Sequence, residues 1–229
     1  MMRFSPFTHP PRLVTRLLPK ALWRLPQGGN TVFLTFDDGP IPETTPWILD
    51  LLDRENVKAT FFCVGENVVK HPQLYAQIIE QGHTVGNHTF NHLQGFYTAC
   101  NTYLSNVEKA AQYIDSPLFR PPHGVISPAQ YKALSAKYEI VMWDVLSGDI
   151  SPKNSPRDII ANVADFVADG SIVTFHDSVR TIANLKRALR PTIEMLKSRG
   201  FSLQSIPYSP SGKTKWQPEK NMQKFIRAS

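Results

Sequence analysis

The chain has 229 residues, 41% of them hydrophobic, and a net charge of +6, which suits one medium-sized domain able to bury a full core. Residues 1–30 hold five basic groups and no acidic one, and residues 207–229 hold five basic groups against Glu219, so residues 31–206 are net −3 and a nucleic-acid-binding core is disfavoured. Two cysteines, Cys63 and Cys100, make no disulfide framework.

At the N-terminus, Leu13, Val14, Leu17, Leu18, Leu22 and Trp23 form an amphipathic strip that Pro19 interrupts. Docking against the domain is expected; solvated basic ends or attachment to an anionic surface are the two readings of their charge. Arg16, Pro19, Lys20 and Arg24 break every stretch apolar enough for a secretory signal, and no run spans a membrane. A cytoplasmic location is the simplest expectation, with export by another route or an omitted leader left open.

Thr31 to Phe36 is β-branched and aromatic and is closed by Gly39-Pro40, which predicts a buried strand with Asp37 and Asp38 just past its end. Neighbouring strand residues point to opposite sides, so the two aspartates share a site only if the backbone turns there, and Gly39 allows that turn. A plain Asp-Gly turn is the alternative. Further strands are predicted at Ala59 to Val64, His83 to Gly86, Pro117 to Arg120, Glu139 to Trp143, Ser171 to Phe175 and Phe201 to Ser205. Helical spacing marks Trp47, Ile48, Leu51 and Leu52 behind Pro46, then Leu104, Val107, Ala111 and Ile114. Ser155-Pro156 opens a helix that carries Ile159, Ile160, Val163, Phe166 and Val167 and stops at Gly170. Leu185, Leu189, Ile193 and Leu196 mark the last helix. Strands alternating with helices imply a parallel sheet of the α/β class.

Functional groups cluster at strand ends. His88 and His92 share one face if their segment is helical, a spacing that suits zinc, and a carboxylate completes a three-ligand set with an open position. Leu118 to Gly124 ends a strand with Arg120, the double proline Pro121-Pro122, and His123. Trp143-Asp144 continues to Asp149, and Phe175 is followed by His176. Cys63, inside an apolar run, reads as buried packing.

Together the five fragments resemble the polysaccharide deacetylase family, carbohydrate esterases with a NodB-type homology domain, over about residues 31–206. The resemblance implies a distorted, seven-stranded (β/α) barrel flanked by a basic N-terminal extension (1–30) and a basic C-terminal tail (207–229). It implies that Asp38, His88 and His92 hold a divalent metal, zinc first, with Co²⁺ or Ni²⁺ acceptable to the same donors. Asp37 would be the general base, His176 the general acid, and Arg120 the cation that fixes Asp37. Asp149 would tune His176, with Asp144 as the alternative. Pro122 and His123 would meet the substrate, His123 assisting the oxyanion through its backbone N–H. His123 stands where tyrosine is common and Ile150 where tryptophan is common, departures that bear on substrate fit. Loops Gln94 to Cys100 and Ser178 to Asn184 are expected to shape the groove. The implied activity is removal of N-linked acetyl from a sugar or polysaccharide. A small non-sugar amide or cyclic imide is the second substrate reading, and a non-catalytic carbohydrate-binding domain the third.

Overall fold

The computed structural model describes residues 8–25 and 29–207; almost all of the C-terminal tail and the start of the N-terminal extension lie outside the described residues. The strands are β1 (Thr31–Asp37), β2 (Thr60–Cys63), β3 (Thr84–Asn87), β4 (Leu118–Phe119), β5 (Glu139–Ile140), β6 (Val145–Leu146), β7 (Ile172–His176) and β8 (Ser202–Gln204). The helices are α1 (Arg12–Leu17), α2 (Thr45–Arg54), α3 (Gly65–Lys70), α4 (Pro72–Glu80), α5 (Cys100–Ala111), α6 (Pro128–Leu134), α7 (Pro156–Phe166) and α8 (Ile182–Ser198). No helix among the described residues is long and apolar enough to cross a membrane.

The named strands pair in parallel in the order β5-β4-β3-β2-β1-β7-β6, and this seven-strand path curls into a distorted, incomplete (β/α) barrel. All seven predicted strands are present, with shorter bounds at β4 and β5. The seventh place on the path belongs to β6, too short for sequence alternation to reveal, while β8 is accessory and pairs Thr31 to Phe33 of β1.

The central strand shows why the sheet is buried on both faces. Val32, Leu34 and Phe36 pack outward with Ile48, Leu52, Val163, Leu185 and Leu189 from the helices, while Phe33 packs inward with Phe62, Leu118, Val141 and Ile172. Full burial of each such side chain contributes about 1.5–3 kcal/mol. The period of two places Thr35 and Asp37 on the inner side with Phe33. In-register pairing of β1 with β7 then sets Thr35 opposite Thr174 and Asp37 opposite His176.

The helix signals act as expected on α7. Ser155 accepts from the Asp158 backbone N–H and Asp158 accepts in return from the Ser155 N–H at 2.7 Å, a reciprocal cap. On α5 the inward stripe is Tyr103, Val107 and Ala110 rather than Leu104 and Ala111, which are half-buried.

The N-terminal segment runs from the edge strand β5 to the chain that enters β7. The Leu22 N–H donates to the Ile140 carbonyl and the Met142 N–H to the Leu22 carbonyl, both at 2.8 Å, and Leu25 donates to Gly170 at 2.8 Å. Leu18, Leu22 and Trp23 pack on the barrel, whereas Leu13, Val14 and Leu17 on α1 stay exposed, because Pro19 breaks the strip and the docked part begins at its edge.

Candidate active site

Asp37 ends β1 inside the barrel mouth and meets a buried cation. Arg120, which follows β4, is 0% exposed and donates from Nη1 to Asp37 Oδ1 at 2.7 Å, to Thr35 Oγ1 at 2.7 Å and to Thr174 Oγ1 at 3.1 Å. Its Nη2 donates to the Met142 carbonyl at 2.9 Å and its Nε to the Val141 carbonyl at 3.2 Å, and the guanidinium lies 4.1 Å from the Phe62 ring centroid. Every face of the cation is thus occupied, which an arginine fork allows and a lysine does not. Burial lowers the Arg120 pKa and the Asp37 carboxylate opposes that shift.

The backbone turn that separates the two aspartates falls on Asp38 itself, at φ 82°, not on Gly39 as the sequence suggests. Asn67 Nδ2 holds the turned Asp38 carbonyl at 2.8 Å. Residues 88–92 are not helical either. They form a loop with Thr89 at φ 64° and His92 at φ 56°, pinned by the Thr89 N–H on Asn87 Oδ1 at 2.8 Å and the Leu93 N–H on Thr89 Oγ1 at 3.0 Å. The loop nevertheless brings the two imidazoles to a centroid separation of 5.1 Å.

His88 Nε2 lies 3.6 Å and His92 Nε2 3.1 Å from Asp38 Oδ1, and one donor atom from each of the three residues falls within 4.8 Å of the others. Asp38 Oδ1 is buried and faces the Nε2 atoms of both imidazoles, a grouping of donors that a cation satisfies. His88 Nδ1 donates to the Arg120 carbonyl at 2.8 Å, which fixes the tautomer and turns the Nε2 lone pair toward Asp38. Burial holds His88 down at about 4, so its ring is neutral near pH 7. Burial opposes ionisation of Asp38, but the His92 hydrogen bond and the charges of His176 and His88 outweigh it and hold the carboxyl below its usual range. A neutral imidazole and an ionised carboxylate are the states a metal binds, so the donor set fits a divalent metal.

His176 ends β7 beside Asp37. Its Nδ1 bonds Asp149 Oδ1 at 2.8 Å and its backbone N–H donates to Asp149 Oδ2 at 2.8 Å. Burial would lower the His176 pKa, yet the charge and hydrogen bond of Asp149, helped by Asp38 and Asp37, raise it to about 9. Asp149 is held in turn: Ser147 Oγ donates to it at 3.1 Å, and Asn154 and Asn162 donate to the Gly148 and Ser147 carbonyls at 2.8 and 2.9 Å.

Asp144 does not reach this site. It precedes β6 and so lies at the opposite end of the strands, accepting from Ser171 Oγ and the Ile172 N–H, each at 2.8 Å, with Arg24 at 3.5 Å. The sequence places both aspartates just after the predicted strand Glu139 to Trp143; the short β6 between them sends them to opposite ends.

The cleft above Asp37 and Asp38 is also lined by His123, Trp143 and Ile150. His123 occupies a tight turn at φ 60°, exposed, with its ring edge-on to His92 at 4.7 Å. Pro122 is buried within the turn, where it shapes the backbone that presents His123. A second groove, between α5 and α6, carries the exposed Lys137–Glu108 pair and none of these groups.

Asp177 is the residue the sequence reading passed over. It is fully buried, and its carboxylate accepts from the hydroxyls of Thr44 and Thr45 at the start of α2, while its N–H donates to the Asp37 carbonyl at 2.7 Å. Burial raises its pKa to about 7. It ties the loop that carries Asp38 to the strand that carries His176, and its position directly after His176 was the available signal. The approach also explains Gly39, where an added Cβ would lie 2.1 Å from Asp177 Oδ2. Gly39→Ala is therefore expected to weaken metal affinity on the order of 10- to 100-fold, the range for partners that orient ligands, measured by chelator competition. In an Asp177→Ala background the same substitution should cost much less, since only the Asp177 Cβ at 3.2 Å remains of the clash. Equal losses in both backgrounds would contradict the coupling.

Comparison with known proteins follows the same lines. The sequence model described as polysaccharide deacetylase matches residues 24–141. A peptidoglycan-N-acetylglucosamine deacetylase of Bacillus cereus is 33% identical over 198 residues, 80% of this chain and 90% of the relative. A chitooligosaccharide deacetylase of Azorhizobium caulinodans is 30% identical over 210 residues, 80% of this chain and 96% of the relative. Among solved structures, a peptidoglycan N-acetylglucosamine deacetylase bound to 4-naphthalen-1-yl-N-oxidanyl-benzamide matches with a TM-score of 0.79 and 32% identity, covering 86% of this chain and 95% of that one.

Proposed function

Because the chain belongs to the polysaccharide deacetylase family, we propose that it hydrolyses the N-acetyl amide of an amino sugar in a glycan, releasing acetate and leaving a free amine. The observation that carries this reading is a pair of fixed groups in one cleft: Asp37 against buried Arg120, and His176 against Asp149. A carboxylate aimed by a cation beside an imidazole aimed by a carboxylate supplies the proton acceptor and the proton donor that acid–base catalysis requires.

The chemistry needs an activated water, a stabilised oxyanion and an acid for a poor amine leaving group. Asp37 Oδ2 is the oxygen not engaged by Arg120 in the 2.7 Å contact, and it accepts the proton of the attacking water. Arg120 fixes that carboxylate in direction. As water oxygen bonds to the acetyl carbon and the C–N bond breaks, His176 gives its Nε2 proton to the departing nitrogen, Nδ1 being held by Asp149. The His123 backbone N–H is assigned to the oxyanion. Asp38, His88 and His92 would hold a divalent metal, zinc by preference and Co²⁺ or Ni²⁺ by the same donors, which when bound would lower the pKa of a water to about 7 and polarise the carbonyl.

Acetate release from acetylated chitooligosaccharides and peptidoglycan fragments, run beside small amides and cyclic imides, tests the reading. Release from the sugars and not from the imides is expected. Turnover of the small amides alone would move the site to the second substrate class.

The acid assignment carries its own pH dependence. A His176 pKa of about 9 keeps the imidazolium populated through neutral pH and sets the alkaline limb of kcat/KM near that value. Asp149→Asn removes the charge and weakens the bond that hold the pKa up, while burial still pulls it down, so the limb should move to lower pH with bound metal unchanged. Asp144→Asn should leave the limb where it is. A limb that moves only in the Asp144 variant would reverse the assignment.

A further inference from the structure

Leu13, Val14 and Leu17 on α1 are 72%, 41% and 71% exposed. Leu17 follows Leu13 by four residues and Val14 by three, so the three side chains share one helix face. The chain on either side of that face is fixed to the barrel. Before α1, His9 Nδ1 donates to the Asp144 carbonyl at 2.7 Å and its ring stacks on Phe166 with centroids 5.2 Å apart. After α1, the Lys20 N–H donates to the Tyr131 hydroxyl at 2.8 Å, Leu22 joins Ile140 and Met142, and Arg24 Nη2 donates to the Asp169 carbonyl at 2.5 Å. An apolar face held in place from both ends, yet turned away from the core, adds nothing to folding and marks a contact surface.

Charge selects the occupant. Residues 1–30 carry five basic groups and no acidic one. Arg24 is paired with Asp144, while Arg16 and Lys20 stay exposed close to the leucines in the chain. The partner must therefore be both apolar and negatively charged. A second copy of the chain would bring the same cations against themselves. Residues 207–229, with five basic groups against Glu219 and so net +4, are repelled in the same way. A bilayer with anionic headgroups meets both requirements, because acyl chains accept the leucines and headgroup charge attracts the cations.

We propose that α1 is a peripheral membrane contact, lying on an anionic lipid surface with Leu13, Val14 and Leu17 at the boundary between headgroups and acyl chains and Arg16 and Lys20 among the headgroups. No helix among the described residues is long and apolar enough to cross a bilayer, so the chain rests on the surface through this face. His9 and Arg24, which flank α1, are pinned at Asp144 and Asp169, just before β6 and β7 and at the end of the strands opposite Asp37 and His176. Attachment there leaves the catalytic cleft open toward a glycan. So small a contact is reversible, and it weakens with salt because the attraction is screened beyond a Debye length of about 8 Å at physiological ionic strength.

The test is co-sedimentation of the full chain with vesicles of mixed phosphatidylglycerol and phosphatidylcholine, beside vesicles of phosphatidylcholine alone. Binding to the mixed vesicles is expected, with a loss on the order of tenfold on the neutral ones. Leu13→Ser/Leu17→Ser should lower partitioning on the order of tenfold or more, since two leucines no longer leave water. Arg16→Glu/Lys20→Glu should lower it by a comparable factor. All four positions are exposed, so Tm should stay where it is, and if one double variant folds poorly the other tests the same face by independent chemistry. Wild-type protein that ignores the mixed vesicles overturns the proposal. Serine and wild-type proteins that bind equally assign the attraction to charge alone and overturn it too. A wild-type dimer that the serine variant converts to monomer, with no vesicle binding by either, gives the face to a second copy and likewise overturns it.

Discussion

Asp37→Asn is expected to keep its metal and to lose turnover by about 10² to 10⁴, the loss typical of a missing general base. Asparagine is nearly the same shape and its Oδ1 still accepts from Arg120 Nη1, now at 2.7 Å from Asp37, so the geometry is kept although the buried cation loses its counter-charge and the fold some stability. What disappears is the proton acceptor. Asp38→Asn removes instead the carboxylate whose Oδ1 sits between His88 and His92, so metal affinity should fall while the rate at saturating metal falls less. Metal content and kcat measured side by side distinguish the two. If both variants lost metal equally and neither changed the metal-saturated rate, the two roles would be wrongly assigned.

Arg120→Met should cost about 3–5 kcal/mol of stability, because removing one partner leaves an uncompensated buried charge. Asp37 is 4% exposed, and the Val141 and Met142 carbonyls also lose their donors. For a domain of this size the shift in Tm is roughly 6–20 °C. Without the cation the carboxylate loses the 2.7 Å contact that aims it, so the base weakens together with the fold. Arg120→Lys should fall between, since an ammonium can pair with Asp37 but cannot also span both carbonyls. Thermal unfolding checks the order; a Met variant as stable as wild type would remove Arg120 from the centre of the account.

Elements with a repeating apolar pattern were legible in the sequence. β1 and β7 read correctly because a strand buried on both faces is a continuous apolar run, and α7 and α8 because their stripes span several turns. β6 is too short to show a pattern, and α3, α4 and α6 are brief helices that tertiary packing holds. Within the site, Asp37, Arg120, His123 and His176 lie on one cleft wall or beneath it, together with Asp38, His88 and His92. The backbone that unites them was not legible. Asp38 and His92 adopt positive φ, a conformation that even Asp and His visit only occasionally and that no sequence pattern here announces, and hydrogen bonds with Asn67, Asn87 and Thr89 hold the surrounding loops. Asp177 escaped notice because its role is visible only once β7 and α2 are packed together. The separation of Asp149 from Asp144 likewise depends on β6, around which the chain changes ends.

The central claim is that a metal held by Asp38, His88 and His92 is required for hydrolysis of a sugar acetamide. It is tested most directly by measuring acetate release from an acetylated chitooligosaccharide with protein stripped by a chelator, then dialysed and reloaded with Zn²⁺ or Co²⁺. The stripped protein should be inactive, the reloaded protein should recover, and His92→Ala should bind the added metal weakly and recover little. Full activity in metal-free protein would contradict the claim.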